Sequence, residues 1–293
     1  MKLAKADYIF QISCFTFLGI AGLIVLYPLV YVISSSFSST TAVATGQVIL
    51  WPVGFNLTSY SVVLRQGMLR TGFFNSLFYV AGGTIVRVSL ILLAAYPLSR
   101  KDFPARKFFL GFFVITMFFS GGLIPTYMLM RNLGLVGSRW ALVVGAGFSC
   151  YFMIIVKTYL QNNIPSSILD AAHIDGCGDI AFFFLFALPL AVPVIAVMVL
   201  FNSVGIWNSY FGAMIYLTRP NTFSFQLVLR DILFASRMTR DMWGDSDEFV
   251  SLSGLYQQIR YSVLVIGAFP MMVLYPFIQK FFIKGLMIGS LKE

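Results

Sequence analysis

The sequence holds one histidine, His173, and three cysteines, Cys14, Cys150 and Cys177. A single histidine argues against a histidine-built metal cluster and against a histidine–serine hydrolytic site. The cysteines show neither metal-ligand spacing nor a disulfide framework: two fall in apolar segments and one in a polar segment. No G-x-x-x-x-G-K-[ST] string occurs, so the chain has no P-loop for a nucleotide. Charge is scarce too, at 11% of residues, with Asp and Glu together numbering 11. Basic runs interleaved with aromatics, the footprint of nucleic-acid binding, are missing, and no nucleic-acid partner is expected. The apolar stretches lack the clustered nucleophiles, metal ligands or paired carboxylates that a membrane-embedded enzyme needs. They also lack the buried carboxylates and histidines that relay protons in proton-coupled carriers.

What is present is apolar sequence. Of 293 residues, 59% are hydrophobic, and the mean hydropathy is +0.86. A soluble core of this length does not require so much, so a polytopic membrane protein is the expected class. About six spans of roughly 20 residues each fit the pattern. We place them at 9–33, 73–98, 107–130, 139–160, 182–206 and 260–283. The expected fold is all-α, one transmembrane domain over 1–293 with no separate soluble domain. Lys2 and Lys5 precede an apolar run too long for a cleavable signal, and no small-residue cleavage site ends it.

Net charge is +9, as expected when basic residues flank spans. All eight lysines fall on one side if there are six spans: Lys2, Lys5, Lys101, Lys107, Lys157, Lys280, Lys284 and Lys292. With the compact turn Arg100, Lys101, Arg106 and Lys107, that side reads as the cytoplasm. Both termini are then cytoplasmic, as is the polar segment 161–188. The loops 34–72 and 207–259 lie on the opposite, periplasmic side. The longer loop carries Arg230, Asp231, Arg237, Arg240, Asp241, Asp245, Asp247 and Glu248. It reads either as a solvated loop with local helix or as a docking surface for an external partner.

One clearly ionisable side chain, Arg87, lies deep in a span. It either snorkels or pairs with a carbonyl at the subunit interface, or it lines a translocation path, with an acidic solute as one candidate cargo. Asn202, Trp207, Asn208 and Tyr210 are further path candidates, because rings stack on sugar faces and amides bind hydroxyls. Trp207 and Tyr210 equally suit an interfacial aromatic belt.

The polar segment has a defined shape. Pro165 ends an extended piece, and Ser167 with Asp170 three residues on suggests a capping box. Ala171 and Ala172 are small enough to let another surface approach closely. Asp175-Gly176 signals a turn, with Gly176 taking a left-handed conformation that ends the helix. A second short helix runs from about Asp179 through Phe183, and Pro189 and Pro193 distort the start of the next span.

The string Asp170-Ala171-Ala172-His173-Ile174-Asp175-Gly176, followed by Phe183, Leu188-Pro189 and Pro193, resembles the cytoplasmic signature loop of ABC importer permeases. That loop reads E-A-A-x-x-D-G, then F, L-P and P. Asp170 stands for the leading Glu, Cys177 for the usual Ala after the Gly, and Phe184-Leu185-Phe186 replaces a stretch that often carries a basic residue. Other strings resemble carbohydrate permeases of the maltose type: Asn75-Ser76-Leu77, Ala94-Ala95-Tyr96-Pro97-Leu98-Ser99-Arg100, Asn132-Leu133-Gly134-Leu135, Trp207-Asn208 and Lys284-Gly285-Leu286. Gly121-Gly122-Leu123-Ile124-Pro125-Thr126-Tyr127 and Gln226-Leu227-Val228-Leu229-Arg230 are similar to a narrower subgroup serving oligosaccharides and polysaccharide fragments, alginate importers among them.

The resemblance implies a type I importer permease in the bacterial inner membrane, working by alternating access and without catalysis of its own. Its implied partners are a second related permease, two ATPase subunits and a periplasmic solute-binding protein. ATP and magnesium are then used by the ATPase subunits, with no cofactor on this chain. Asp170, Ala171, Ala172, Asp175, Gly176, Phe183 and Pro189 are the implied ATPase-coupling residues, and the tail after Lys284 is a further contact.

Overall fold

The computed structural model describes the backbone of residues 5–145, 147–243 and 247–290, and the side chains of 8–145, 147–234 and 257–279. Lys2, Lys5, Arg237, Arg240, Asp241, Asp245, Asp247, Glu248, Lys280, Lys284, Lys292 and the string Lys284-Gly285-Leu286 lie outside those side chains.

The described residues are helical in every element. In chain order the helices are α1 (Lys5–Ser36), α2 (Thr40–Ala44), α3 (Thr58–Arg65), α4 (Gly67–Ser99), α5 (Arg106–Phe118), α6 (Leu123–Asn132), α7 (Trp140–Gly145) and α8 (Cys150–Asn163). The coupling segment follows as α9 (Ser166–Ile174), α10 (Asp179–Phe182), a π-helical turn (Phe183–Ala187) and α11 (Leu188–Leu190). Then come α12 (Val192–Asn208), α13 (Phe211–Tyr216), a short 3-10 turn (Pro220–Thr222), α14 (Phe225–Trp243) and α15 (Asp247–Ser290).

Among the described residues, three helical stretches are long and apolar enough to cross a bilayer unbroken: Tyr8–Ser36, Gly67–Ser99 and Gln257–Gln279. The other expected spans differ from single helices. The stretch 107–130 is the pair α5 and α6, bent by 113°. Gly122 has φ +82°, open to glycine at no steric cost, and in a continuous helix the Pro125 ring would strike the carbonyl four residues back. The stretch 139–160 is divided into α7 and α8 around Gly147. The stretch 182–206 is bent by 75° between Leu190 and Val192, where Pro189 and Pro193 bracket the break. The expected loop 207–259 is mostly helix, occupied by α13, α14 and the start of α15.

The chain divides into two compact units. The first comprises Met1–Arg70 and Leu229–Phe269. Its interior is unusually polar. The run Ser34, Ser35, Ser36 and Ser38 is buried, and Gln258 donates to the Ser38 carbonyl at 2.6 Å. The Ser59 and Ser262 hydroxyls meet at 2.6 Å, and Ser36 meets the Tyr60 hydroxyl at 2.8 Å. Small hydroxyl side chains allow close backbone approach and bond across helices, the pattern favoured where lipid weakens the hydrophobic drive.

The second unit comprises Thr71–Val228 and Pro270–Glu293. Three helical stripes interlock in it: Val88, Ile91, Leu92, Ala95 and Leu98 on α4; Cys150, Met153, Val156 and Leu160 on α8; Val194 and Met198 on α12. Each stripe repeats every three or four residues, placing it on one helix face. Ala172, Phe182 and Phe183 of the coupling segment enter this same core. By contrast, Phe15, Phe17, Leu23 and Ile24 of α1 are exposed, as lipid-facing side chains are.

Candidate functional site

The coupling segment is built from local bonds. No side chain caps the start of α9: Pro165 holds the N-cap position, and the expected Ser167–Asp170 capping box does not form. The C-terminal end is fully closed. Gly176 has φ +80°, and its N–H donates to the His173 carbonyl at 3.0 Å. The Cys177 N–H donates to the Ala172 carbonyl at 2.8 Å. These are the two bonds of a Schellman cap, and they reverse the chain sharply into α10.

The residues around that turn divide by exposure. Ala172 is 4% exposed and belongs to the core, while Asp170, Ala171, Asp175 and Gly176 face outward. Ile174 is 87% exposed and Ile180 is 78% exposed, so two large apolar side chains protrude at the turn beside the exposed Asp170, Asp175 and Asp179. Phe182 and Phe183 anchor the segment from within, and Phe183 lies 4.9 Å from the Tyr96 ring. Pro189 is exposed at the start of the bend.

A charged cluster fastens the coupling segment to the turn after α4. Arg100 bonds both oxygens of Asp102, at 3.0 and 2.9 Å, and lies 3.5 Å from Asp179 Oδ1. His173 Nε2 is also 3.5 Å from that oxygen. The Arg100 hydrogen bond holds the Asp102 carboxyl below its ordinary value and raises the Arg100 guanidinium. The Gln161 amide donates to the Ser99 carbonyl at 3.2 Å. Arg100, Asp102, His173 and Gln161 line a cleft of about 360 Å³ with Tyr96, Leu169 and Asp170.

The second site surrounds Arg87, in the interior of α4. Its Nε donates to the Gly147 carbonyl at 3.3 Å, and one terminal nitrogen donates to Asn202 Oδ1 at 3.1 Å. The break between α7 and α8 supplies that carbonyl. Unwound backbone at membrane depth survives only where protein or an aqueous cavity satisfies it. Asn202 is 1% exposed and is itself held by a 2.7 Å bond from its amide to the Met198 carbonyl. Arg87 lines a cavity of about 260 Å³ with Ser76, Tyr79, Gly205, Ser209 and Tyr216, among others.

Trp207 is 1% exposed. Its ring stacks on Phe225 at 6.0 Å and meets Phe73 edge-on at 5.7 Å. It therefore packs within this unit, whereas Asn208 and Tyr210 are exposed. Nearby, the Asn75 amide donates to the carbonyls of Asn221 and Phe223 at 2.9 and 3.0 Å, and the Tyr79 hydroxyl donates to Thr222 at 2.7 Å.

No protein-family model matches the chain. Individual proteins do. It is 38% identical over 285 residues to the polygalacturonan/rhamnogalacturonan transport system permease protein YtcP of Bacillus subtilis, covering 97% of this chain and 98% of that protein. The chain belongs to the permeases of sugar and polysaccharide ABC transporters. It is also 35% identical to the Bacillus subtilis protein LplC over 292 residues, covering 100% of this chain and 98% of that one. Its fold matches a chain of a crystal structure of a bacterial ABC transporter involved in importing the acidic polysaccharide alginate. That match has a TM-score of 0.85 and 30% identity, over 96% of this chain and 99% of the other.

Several features of this permease escaped sequence reasoning. Sequence pattern alone does not place the Gly147 carbonyl, the Arg100–Asp179–His173 cluster or the protruding Ile180. Gly145 and Gly147 are visible breakers in the fourth apolar stretch and were the available signal for the first. The other two depend on how α9 and α10 fold back on each other.

Proposed function

We propose that this permease moves oligosaccharides or polysaccharide fragments inward across the bacterial inner membrane by alternating access, driven by ATP hydrolysed on separate subunits. The observation that carries the coupling role is the pair Ile174 and Ile180, protruding on either side of a Schellman-capped turn. Apolar side chains exposed on a rigid, polar-rimmed turn suit burial in a partner's cleft. Their anchors, Ala172, Phe182 and Phe183, reach into the core of α4, α8 and α12. A push on the turn is thus delivered to membrane helices rather than dissipated in a loop.

In this reading the segment 161–188 faces the cytoplasm and seats on one of two ATPase subunits, which use ATP and magnesium. Asp170, Ala171, Asp175 and Gly176 form the outer contact, with Ala172, Phe183 and Pro189 as inward anchors and bend. The lysine-bearing side, including both termini, is cytoplasmic, and the segments 34–72 and 207–259 are periplasmic. A second related permease completes the path, and a solute-binding protein delivers the sugar. Arg87, Asn202 and Asn208 line or edge the path, and Trp207 shapes it from behind.

The test is substitution at an exposed coupling position. Ala171→Trp and Ile174→Asp are expected to leave the permease inserted and folded while abolishing sugar-stimulated ATP hydrolysis in the assembled complex. Full stimulation in both variants would remove the docking role from this turn.

A further inference from the structure

Arg87 poses an electrostatic problem. It stands past the midpoint of α4, a 33-residue helix long and apolar enough to span a bilayer. At about 1.5 Å per residue, it is roughly 18 Å from the Ser99 end and roughly 30 Å from the Gly67 end, well inside the apolar helix. A guanidinium at such depth is costly unless its charge is matched. The acceptors recorded on it, the Gly147 carbonyl and Asn202 Oδ1, are both neutral. Among the described residues, no carboxylate forms an ion pair with it. Its charge is therefore held in position, by Asn202 on one side and unwound backbone on the other, yet left uncompensated.

The cavity it lines supplies the complement. Its volume, about 260 Å³, lies just below the roughly 300–1,000 Å³ of pockets for drug-sized ligands, so it admits a single sugar ring rather than a chain. Tyr79 and Tyr216 bring aromatic rings, and Ser209 and Ser224 bring hydroxyls. Gly205 and Gly212 keep the wall low; a Cβ placed at Gly205 would meet nothing within 4 Å.

We propose that this cavity is a subsite that reads a sugar carboxylate, pairing it with Arg87, so that the permease carries acidic rather than neutral oligosaccharides. Guanidinium and carboxylate match in planarity and form paired charge-assisted bonds, which a neutral sugar cannot supply. Asn202 acts as a positioning residue that fixes the guanidinium plane. The inference rests on the reading of the chain as a sugar-importing permease.

The test uses the assembled transport complex in proteoliposomes. Uptake is compared for trigalacturonate, trimannuronate, their methyl esters and neutral trisaccharides. The esters keep the rings and remove the charge. The wild-type complex is expected to favour the acid over its ester by at least roughly tenfold in kcat/KM, as loss of a charged hydrogen-bonded pair predicts. Arg87→Gln removes that preference, and Arg87→Lys retains part of it. Gly205→Leu adds a side chain whose Cβ meets nothing within 4 Å, narrows the cavity and lowers uptake of acid and ester alike, which keeps the subsite testable if the Arg87 variants fail to assemble. Equal wild-type uptake of acid and ester, equal losses for both in Arg87→Gln, or uptake of neutral sugars alone would overturn the carboxylate subsite. Uptake of no sugar at all by a complex that hydrolyses ATP would instead overturn the importer reading.

Discussion

The coupling turn and the Arg87 cavity solve opposite problems with opposite means. The turn is exposed, and its key bonds link residues three and five apart, His173 to Gly176 and Ala172 to Cys177. The cavity is within the helices, and its bonds link residues far apart, Arg87 to Gly147, Arg87 to Asn202 and Tyr79 to Thr222. A surface that must meet a partner gains from local closure, because it stays rigid while its neighbours move. Helices at membrane depth use their backbone groups internally, so the polar side chains around the cavity bond mostly across the fold. The turn should therefore fail in function first, and the cavity in stability first.

The largest effect is expected on the cavity side. Trp207→Ala removes a fully buried ring from between Phe73 and Phe225 and should cost about 3–5 kcal/mol. A thermal melt of the detergent-solubilised permease measures it, and a shift no larger than that of an exposed Tyr210→Ala would contradict the packing role. Next comes the turn. Gly176→Val forces a β-branched residue into φ +80° and should destabilise the cap by about 1–2 kcal/mol. Faster hydrogen exchange at the Cys177 amide, without a change in the global melt, would show the effect to be local. Ile180→Ala should leave the melt within about 0.5 kcal/mol of the parent. It should nonetheless weaken ATPase association by roughly tenfold, read by titrating the ATPase onto immobilised permease. Unchanged affinity would place the docking surface elsewhere.

The smallest effect concerns pH. Asp102 is held below its ordinary value chiefly by the Arg100 hydrogen bond. Its contribution is therefore complete above the ordinary carboxylate value and is lost as pH falls through the depressed one. Asp102 is exposed, so the contribution is about half a kcal/mol at most and is screened by salt. Asp102→Asn should flatten the acid side of the stability curve by that amount at low salt and leave the neutral side lower by the same amount.

Much of the coupling turn was legible in sequence. Asp175-Gly176 signalled the reversal, and the structure gives Gly176 the expected left-handed backbone. The capping box failed because Pro165, already extended, takes the N-cap place and leaves Ser167 inside the first turn of α9. Ala171 and Ala172 read alike as small residues, but a helix turns about 100° between neighbours, so one faces out and the other joins the core. The membrane helices were legible as apolar stretches and not as directions. Hydropathy sums along the chain and is blind to a bend, so the 113° break at Gly121-Gly122 passed inside one expected span.

The sequence by itself determined that this chain lives in a membrane, that it hydrolyses nothing through a P-loop, and where its capped polar turn lies. Those properties follow from composition and from interactions within a few residues. Only the tertiary structure decided which polar residues in the apolar stretches meet. Gly147 and Asn202 lie 60 and 115 positions from Arg87 and are joined to it because the break between α7 and α8 and the face of α12 both come against α4. A buried charge acquires its partner from the whole fold, since in a medium without water the energy of a polar group is set by what the packing places beside it.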